Sequence, residues 1–431
     1  MYHPNPSRKD INAHAVTPED FYVDHRTGFV PPQMPVWRLS AEWEIWEVTL
    51  DFAKAQKLKA TEQALSLDPE QKMVEEEKAR AWRKTVEKSL TVPLLQVSRE
   101  LQHAPYITYS DHALHNWSHR EPREEGALPT SGNLQTQTTF TGTPDENEFH
   151  MTDIRIELKG AEAVQLMRLA TDEIVCSENP DVGGIARYLK GAAAVIEQMK
   201  DILMSTKKLV KPEVFYYEIS PWLMGADVDP YNRKWVWEGS EEVEGSEMLT
   251  NISGPTAAQS PLVPTLDAYL GLVEDESKSA FLDRVRIYMI RNHEAFLQHL
   301  RSNGRPIRSF VQRISREQGA DSPVVTAYDA AINAMKGFRD AHLIIVTLYV
   351  IIPARQAKAS AGNPGVGVNM SAEPSGTKDG PVGKVQDERS ANGVPEEGGR
   401  LTGKATKDSQ GFQLMNFLKA FRDQTNHGRV G

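Results

Sequence analysis

The sequence predicts an all-α protein: a small N-terminal helical domain packed on a larger helical domain, with a long mobile loop before a final helix. Three observations carry this expectation. Ile185, Tyr188, Leu189, Ala192, Ile196, Met199 and Ile202 recur at helical spacing and share one face, and Phe281, Val285, Tyr288, Met289, Phe296 and Leu300 do the same. After Ser322-Pro323, Tyr328, Met335, His342 and Tyr349 recur every seven residues, with Ala331, Phe338, Ile345 and Ile352 filling the turns between. Residues 355–410 are rich in Gly, Ser, Pro, Lys and Glu and nearly devoid of large apolar side chains, so burial cannot offset their ordering entropy.

Taken in order, residues 1–35 form a proline-rich extended segment that ends in a turn around Pro31, Pro32 and Pro35. Residues 36–125 form the small domain. One helix starts after Ser40 with Trp43, Trp46, Leu50 and Ala53 on one side, and a polar-faced helix covers roughly 70–92, where Pro93 interrupts or ends it. Residues 111–119 read as helical, with Ser110 or Asp111 as cap. Residues 126–354 form the large domain, opening with a Thr/Gly/Asn-rich hairpin or loop at 131–148 and becoming strongly helical from about 149. Its last helix runs to Pro353. Residues 355–410 form the loop, either a lid or a tolerated insertion. Residues 411–431 return to the body on Phe412, Leu414, Met415, Phe417, Leu418 and Phe421.

The chain's 431 residues carry 49 Lys and Arg against 59 Asp and Glu, a formal charge of −10 that argues against nucleic acid or an anionic membrane as main partner. Cys176 is the only cysteine, which excludes an internal disulfide and a thiolate metal cluster. The first ten residues lack the apolar core of a secretory signal, and the longest apolar run, 341–354, is shorter than a bilayer span. A soluble, cytoplasmic protein is therefore expected, in which the sequons at Asn116, Asn251 and Asn369 carry no glycan.

His342 is the most informative residue. A titratable imidazole on an apolar helical face either satisfies a hydrogen bond in the core or binds something. His112, His115 and His119 have spacings that could gather three imidazoles on one helical face, but no acidic general base accompanies them and Trp117 crowds the run; a solvated face is the plainer reading. The stretch 398–406, GGRLTGKAT, nearly matches a phosphate-binding loop, yet Ala405 stands where the magnesium-binding hydroxyl belongs and no strand precedes it. Neither a dinucleotide fingerprint after a strand nor a nucleophile elbow is present.

Several segments together resemble the indoleamine 2,3-dioxygenase family. They are Arg26-Thr27-Gly28-Phe29-Val30-Pro31; the block APYITYSDHALHNWSHREP, with Tyr109, Asp111, Leu114, Asn116, Trp117 and Pro122; GPTAAQSPLVPTLDAYLGL at 254–272; the helix containing His342; and LMNFLKAFRDQT at 414–425. They occur in family order over most of the chain. The resemblance implies a helical scaffold that binds haem b, with His342 as the iron ligand and Arg339 and Asp267 as a pair near a haem propionate. It implies insertion of O2 across the indole C2–C3 bond of tryptophan or a related indole, giving an N-formylkynurenine-type product of kynurenine-pathway chemistry, with an electron donor keeping the iron ferrous.

Carried over residue by residue, the resemblance places Tyr109, Phe149, Phe215, Tyr216 and Ser220 around the substrate, and Asp153 and Thr256 in catalytic positions. Three departures stand out. Asp153 falls where relatives have Ser or His, and could donate a proton if burial raises its pKa; a shift of one register would put Thr152 there instead. Ser220 replaces an arginine that forks onto the amino-acid carboxylate in tryptophan-oxidising relatives. Residues 408–412, DSQGF, replace a glycine- and threonine-rich lid element. These departures keep two alternatives open: an enzyme of indole-derived secondary metabolism acting on another substrate, and a haem or oxygen carrier without turnover.

Overall fold

The computed structural model describes residues 17–57, 59, 67–124, 126–228, 237, 240, 252–272, 285–361 and 407–431. Helix makes up 69% of it and strand 2%, so the all-α expectation holds. The principal helices are α1 (Glu44–Gln56), α2 (Pro69–Leu101), α3 (Pro144–Cys176), α4 (Val182–Leu209), α5 (Leu262–Leu270), α6 (Arg291–Ser302), α7 (Pro306–Gln318), α8 (Pro323–Val346), α9 (Ile352–Ala361) and α10 (Lys407–Asn426). One short antiparallel pair, β1 (Ser118–His119) and β2 (Leu134–Gln135), aligns Ser118 with Gln135 and His119 with Leu134.

The core is layered around α4, which packs against α3 on one side and α8 on the other. The stripe read from the sequence is the one buried: Ile185, Leu189, Ala192, Ile196 and Met199 are fully enclosed. Alanines let the helices approach closely, and Gly160 of α3 leaves no room for a Cβ against Leu262 of α5. Thr143 caps α3 by accepting from the Glu146 N–H at 3.2 Å, with Pro144 in the first turn. Near the N-terminus, Gly28 takes a left-handed φ of 64° against Ala161, so a side chain would be strained as well as crowded. That turn seats Phe29 against His293 and Phe296 of α6.

Several local expectations need correction. Pro93 lies inside α2; its ring fixes a helical φ and forfeits one backbone bond, which Glu-, Lys-, Ala- and Arg-rich flanks absorb. Residues 111–119 are not one helix: a single wide turn (Ser110–Leu114) is followed by β1, whose partner β2 is remote in sequence. Tyr109, Leu114 and Trp117 join the main core with α3 and α4. Val285, Tyr288 and Met289 are buried, but they do not share α6: Val285 is helical, a turn at 287–289 follows, and Ile290 is extended at ψ 131° before α6 begins. The helix bearing His342 does not stop at Pro353. It passes through a wide turn, Thr347–Ile351, into α9, where Pro353 occupies the first turn.

By length and composition, residues 323–357 are apolar enough to cross a membrane, because such a window tolerates the few charges that the shorter run at 341–354 avoids. Here that apolar surface packs against α4 and α10. Residues 1–16 and 362–406, which include the GGRLTGKAT stretch and most of the expected loop, lie outside the described residues.

Candidate active site

Tyr328 and Met335 of α8 are wholly buried, and Tyr349 in the wide turn after it nearly so, but His342 on α8 is only half-buried. Dense surroundings nevertheless push its pKa down to about 4, through loss of hydration alone. Together these describe a neutral imidazole that is not fully enclosed by the core. Among the described residues none hydrogen-bonds to it. Just beyond, the Tyr349 hydroxyl donates to the carbonyls of Thr206 at 2.9 Å and Val210 at 2.6 Å, fixing the wide turn to the end of α4.

One turn before His342, Arg339 is buried and clamps three elements. Its Nη2 donates to both Asp267 oxygens on α5, at 2.7 and 2.5 Å, and its Nη1 donates to Thr425 on α10. The guanidinium carbon lies 4.3 Å from the centre of the Phe421 ring. The Arg339 Nε–H is buried without a hydrogen-bond partner.

A second group of expected site residues lies on α3, where Phe149, Asp153 and Glu157 follow one another at four-residue spacing on one face. Phe149 meets Phe215 at 5.0 Å between ring centres, and Phe215 meets Tyr349 edge-on at 5.8 Å, so rings connect α3 to the wide turn that follows α8. Asp153 is half-buried, and burial followed by the nearby Glu157 charge raises its pKa to about 8. Burial likewise raises Glu157 to about 7, moderated by hydrogen bonds from Ser260 at 2.5 Å and Tyr109 at 3.0 Å. Thr152 is buried and turns its hydroxyl to its own helix, donating to Glu148 O at 2.8 Å.

The indoleamine 2,3-dioxygenase family profile matches residues 71–428. The chain belongs to the indoleamine 2,3-dioxygenase family. Among curated relatives it is 30% identical to indoleamine 2,3-dioxygenase of Saccharomyces cerevisiae, over 77% of this chain and 70% of that protein. It is 26% identical to indoleamine 2,3-dioxygenase 1 of Rattus norvegicus, over 80% and 73%. It is also 26% identical to 6-hydroxytryptophan 2,3-dioxygenase fscD of Fusarium equiseti, over 83% and 90%. The chain is accordingly an indoleamine 2,3-dioxygenase-like oxidoreductase, in a family that is haem-dependent and acts on indole substrates.

The residues present fit a haem. A half-buried imidazole without a hydrogen-bond partner has its lone pair free for iron. The partnerless Nε–H of Arg339 is a cationic donor one turn away, suited to a carboxylate at the macrocycle edge.

The other expected site residues are distributed as follows. Tyr109 is buried and spends its hydroxyl on Glu157, while its backbone N–H donates to Gln259 Oε1 at 2.9 Å. Tyr216 is half-buried with its ring edge-on to Tyr217 at 4.9 Å. Ser220 is half-buried and opens a tight turn, Ser220–Leu223, directly after the wide turn Phe215–Ile219. Thr256 caps the short turn Ala257–Gln259 by accepting from the Ala258 N–H at 3.4 Å. The backbone of 408–412 begins α10. The three histidines of the 111–119 stretch diverge: His115 meets Ser110 Oγ at 3.1 Å, His119 meets the Ala127 carbonyl at 3.3 Å, and His112 meets His150 at 3.0 Å. Among the described residues no group of three or more His, Cys, Asp or Glu could hold a metal ion.

Sequence reasoning missed Glu157, Gln259 and Ser260. Glu157 was signalled by its spacing from Asp153. Gln259 and Ser260 stand inside a block already read for Thr256, but their partners lie more than a hundred residues away.

Proposed function

We propose that this protein is a cytoplasmic haem b dioxygenase that inserts O2 across the indole C2–C3 bond of tryptophan or a related indole. What supports the reading is the half-buried, partnerless His342, with the Phe149–Phe215–Tyr349 ring contacts linking α3 to the wide turn that follows its helix. His342 would hold the iron, and Arg339, with Asp267 behind it, would hold a propionate. When bound, the haem supplies the redox chemistry with O2, kept ferrous by an external electron donor, that opens the indole ring to an N-formylkynurenine-type product.

The chain's own residues do the rest. Phe149 and Phe215 offer two tilted ring faces to orient a flat indole and keep water from it. Asp153, one turn beyond Phe149, retains its proton at neutral pH and can present it to a bound substrate. Thr256 uses one lone pair on its cap and keeps its O–H and second lone pair for a substrate N–H or carboxylate.

Ser220 favours a second reading of the substrate. A serine cannot make the two-pronged contact by which arginine grips a carboxylate. An indole with a decarboxylated or masked amino-acid end therefore suits this site better than free tryptophan. Relatives are named for an indoleamine in some cases and for 6-hydroxytryptophan in another, which keeps the substrate within the indole class without narrowing it.

Haem-loaded, reduced protein offered tryptophan and 18O2 tests the proposal. The expected product is about 4 mass units heavier than that made with ordinary O2, since both inserted atoms come from O2. Absence of any oxygenated product from tryptophan, tryptamine and tryptophan ester alike would contradict it.

A further inference from the structure

Arg339 is gripped from α5 by Asp267 and from the last turns of α10 by Thr425 and the Phe421 ring. A helix end frays unless something ties it down. Here the tie is the segment 427–431, which follows α10. The His427 N–H donates to the Gln424 carbonyl at 3.1 Å and the Gly428 N–H to the Thr425 carbonyl at 3.0 Å, so the chain turns as it leaves the helix.

Arg308 of α7 holds this turn by its backbone. Its Nη2 donates to the His427 carbonyl at 3.4 Å and its Nη1 to the Gly428 carbonyl, both charge-assisted contacts. The same Nη1 donates to the Tyr328 hydroxyl at 3.1 Å. That hydroxyl donates to the Leu270 carbonyl at 2.6 Å, at the end of the helix that bears Asp267. The contacts therefore close a circuit: from Asp267 through Arg339 and Thr425 to the tail, then through Arg308 and Tyr328 back to α5. Farther along, the Val430 and Gly431 N–H groups donate to the two oxygens of Asp329 on α8, at 2.9 and 3.1 Å. A carboxylate that accepts two consecutive backbone N–H groups fixes the register of that segment. Gly428 permits the close approach, since a Cβ there would meet the Thr425 carbonyl at 3.0 Å and the Ile332 side chain at 3.1 Å.

We propose that Arg308 and Asp329 are positioning residues for the cofactor edge: by holding residues 427–431 they seat the end of α10, so that Thr425 and Phe421 fix the Arg339 guanidinium before haem arrives. The inference rests on the proposed haem reading, in which the partnerless Arg339 Nε–H meets a propionate. Both residues act at a distance, Arg308 through the turn at His427 and Gly428, Asp329 through Val430 and Gly431. The cost of ordering the end of α10 is then met on folding and not on haem binding, which slows haem release.

Amide hydrogen exchange of the haem-free full chain, and haem release to excess apomyoglobin, test this in Arg308→Gln, Asp329→Ala and the conservative Arg308→Lys. Arg308→Gln and Asp329→Ala should each speed exchange in the last turns of α10 by about tenfold or more, with α4 unchanged, because each loses charge-assisted contacts. Haem release should quicken by about the same factor. Arg308→Lys keeps a cationic donor and should recover part of both effects. The deciding arm repeats the substitutions on Arg339→Met/Asp267→Leu, where they should leave haem release unchanged because the residue they position is gone. Equal quickening in both backgrounds would mean that the tail acts only on general stability, and overturns the inference. Unchanged α10 exchange or unchanged haem release in Arg308→Gln and Asp329→Ala also overturns it and leaves the haem reading standing. Failure of the wild type to take up haem overturns both.

Discussion

Removing Asp267 should separate the fold role of the Arg339 clamp from its cofactor role. Arg339 and Asp267 are both about 9% exposed and joined by bonds of 2.5–2.7 Å. Asp267→Ala leaves a buried guanidinium with Thr425 and the Phe421 ring as its remaining partners. Stranding one member of a buried pair costs about 3–5 kcal/mol. Thr425→Val removes one acceptor from a charged donor and should cost about 1.5–3 kcal/mol. Replacing both charges, in Arg339→Met/Asp267→Leu, fills the same space without a stranded ion, so the haem-free double variant should lie within about 1 kcal/mol of wild type. Urea unfolding of haem-free protein reads all three; at a slope of about 3 kcal/mol per molar, Asp267→Ala should lower the midpoint by about 1 M or more. The double variant should recover that midpoint yet release haem faster than wild type, because the cationic donor is gone. A double variant as unstable as the two single changes combined would refute the buried-pair argument. Unchanged haem release would refute the propionate role.

Two further outcomes follow from the distal side. Asp153 has a folded-state pKa near 8, far above the value of a free carboxyl, so the folded state holds a proton that the unfolded chain has lost, and stability declines as pH rises through that window. Asp153→Asn should therefore stabilise the protein at pH 8 by about 1 kcal/mol or more, and by less at pH 5; urea melts showing the larger gain at pH 5 would reverse the sign and defeat the assignment. Ser220→Arg should tighten tryptophan binding by about tenfold, as a charge-assisted contact to its carboxylate would, measured by calorimetry beside tryptamine, which should not gain; equal gains for both ligands would place residue 220 away from the amino-acid end.

What the sequence revealed and what it hid divide along physical lines. The α4 stripe and the α8 face were legible because each is a long helix with one buried side, where period alone identifies the residues. Arg339 and Asp267, 72 positions apart, were paired only through family resemblance, and the structure gives the pair its geometry. The stretch 111–119 misled because a wide turn and a short strand can carry the same apolar spacing as a helix, and the strand depends on a partner beyond an intervening loop. The plainer reading of the histidines there was a solvated face, yet His112 is buried. Instead His112 joins His150, 38 positions on, across a helix packing that no local pattern encodes. Asp153 stood out as a departure, but Glu157, which gives it a charged neighbour one turn away, drew no notice because a glutamate on a helix is usually solvated.

The absorption spectrum of haem-reconstituted protein, wild type beside His342→Ala, tests the central claim most directly. The account predicts stoichiometric haem in the wild type, with a five-coordinate ferrous spectrum. In the variant that signature should be lost and haem affinity should fall at least about tenfold, with the fold retained. An unaltered ferrous spectrum and undiminished haem binding in His342→Ala would contradict it.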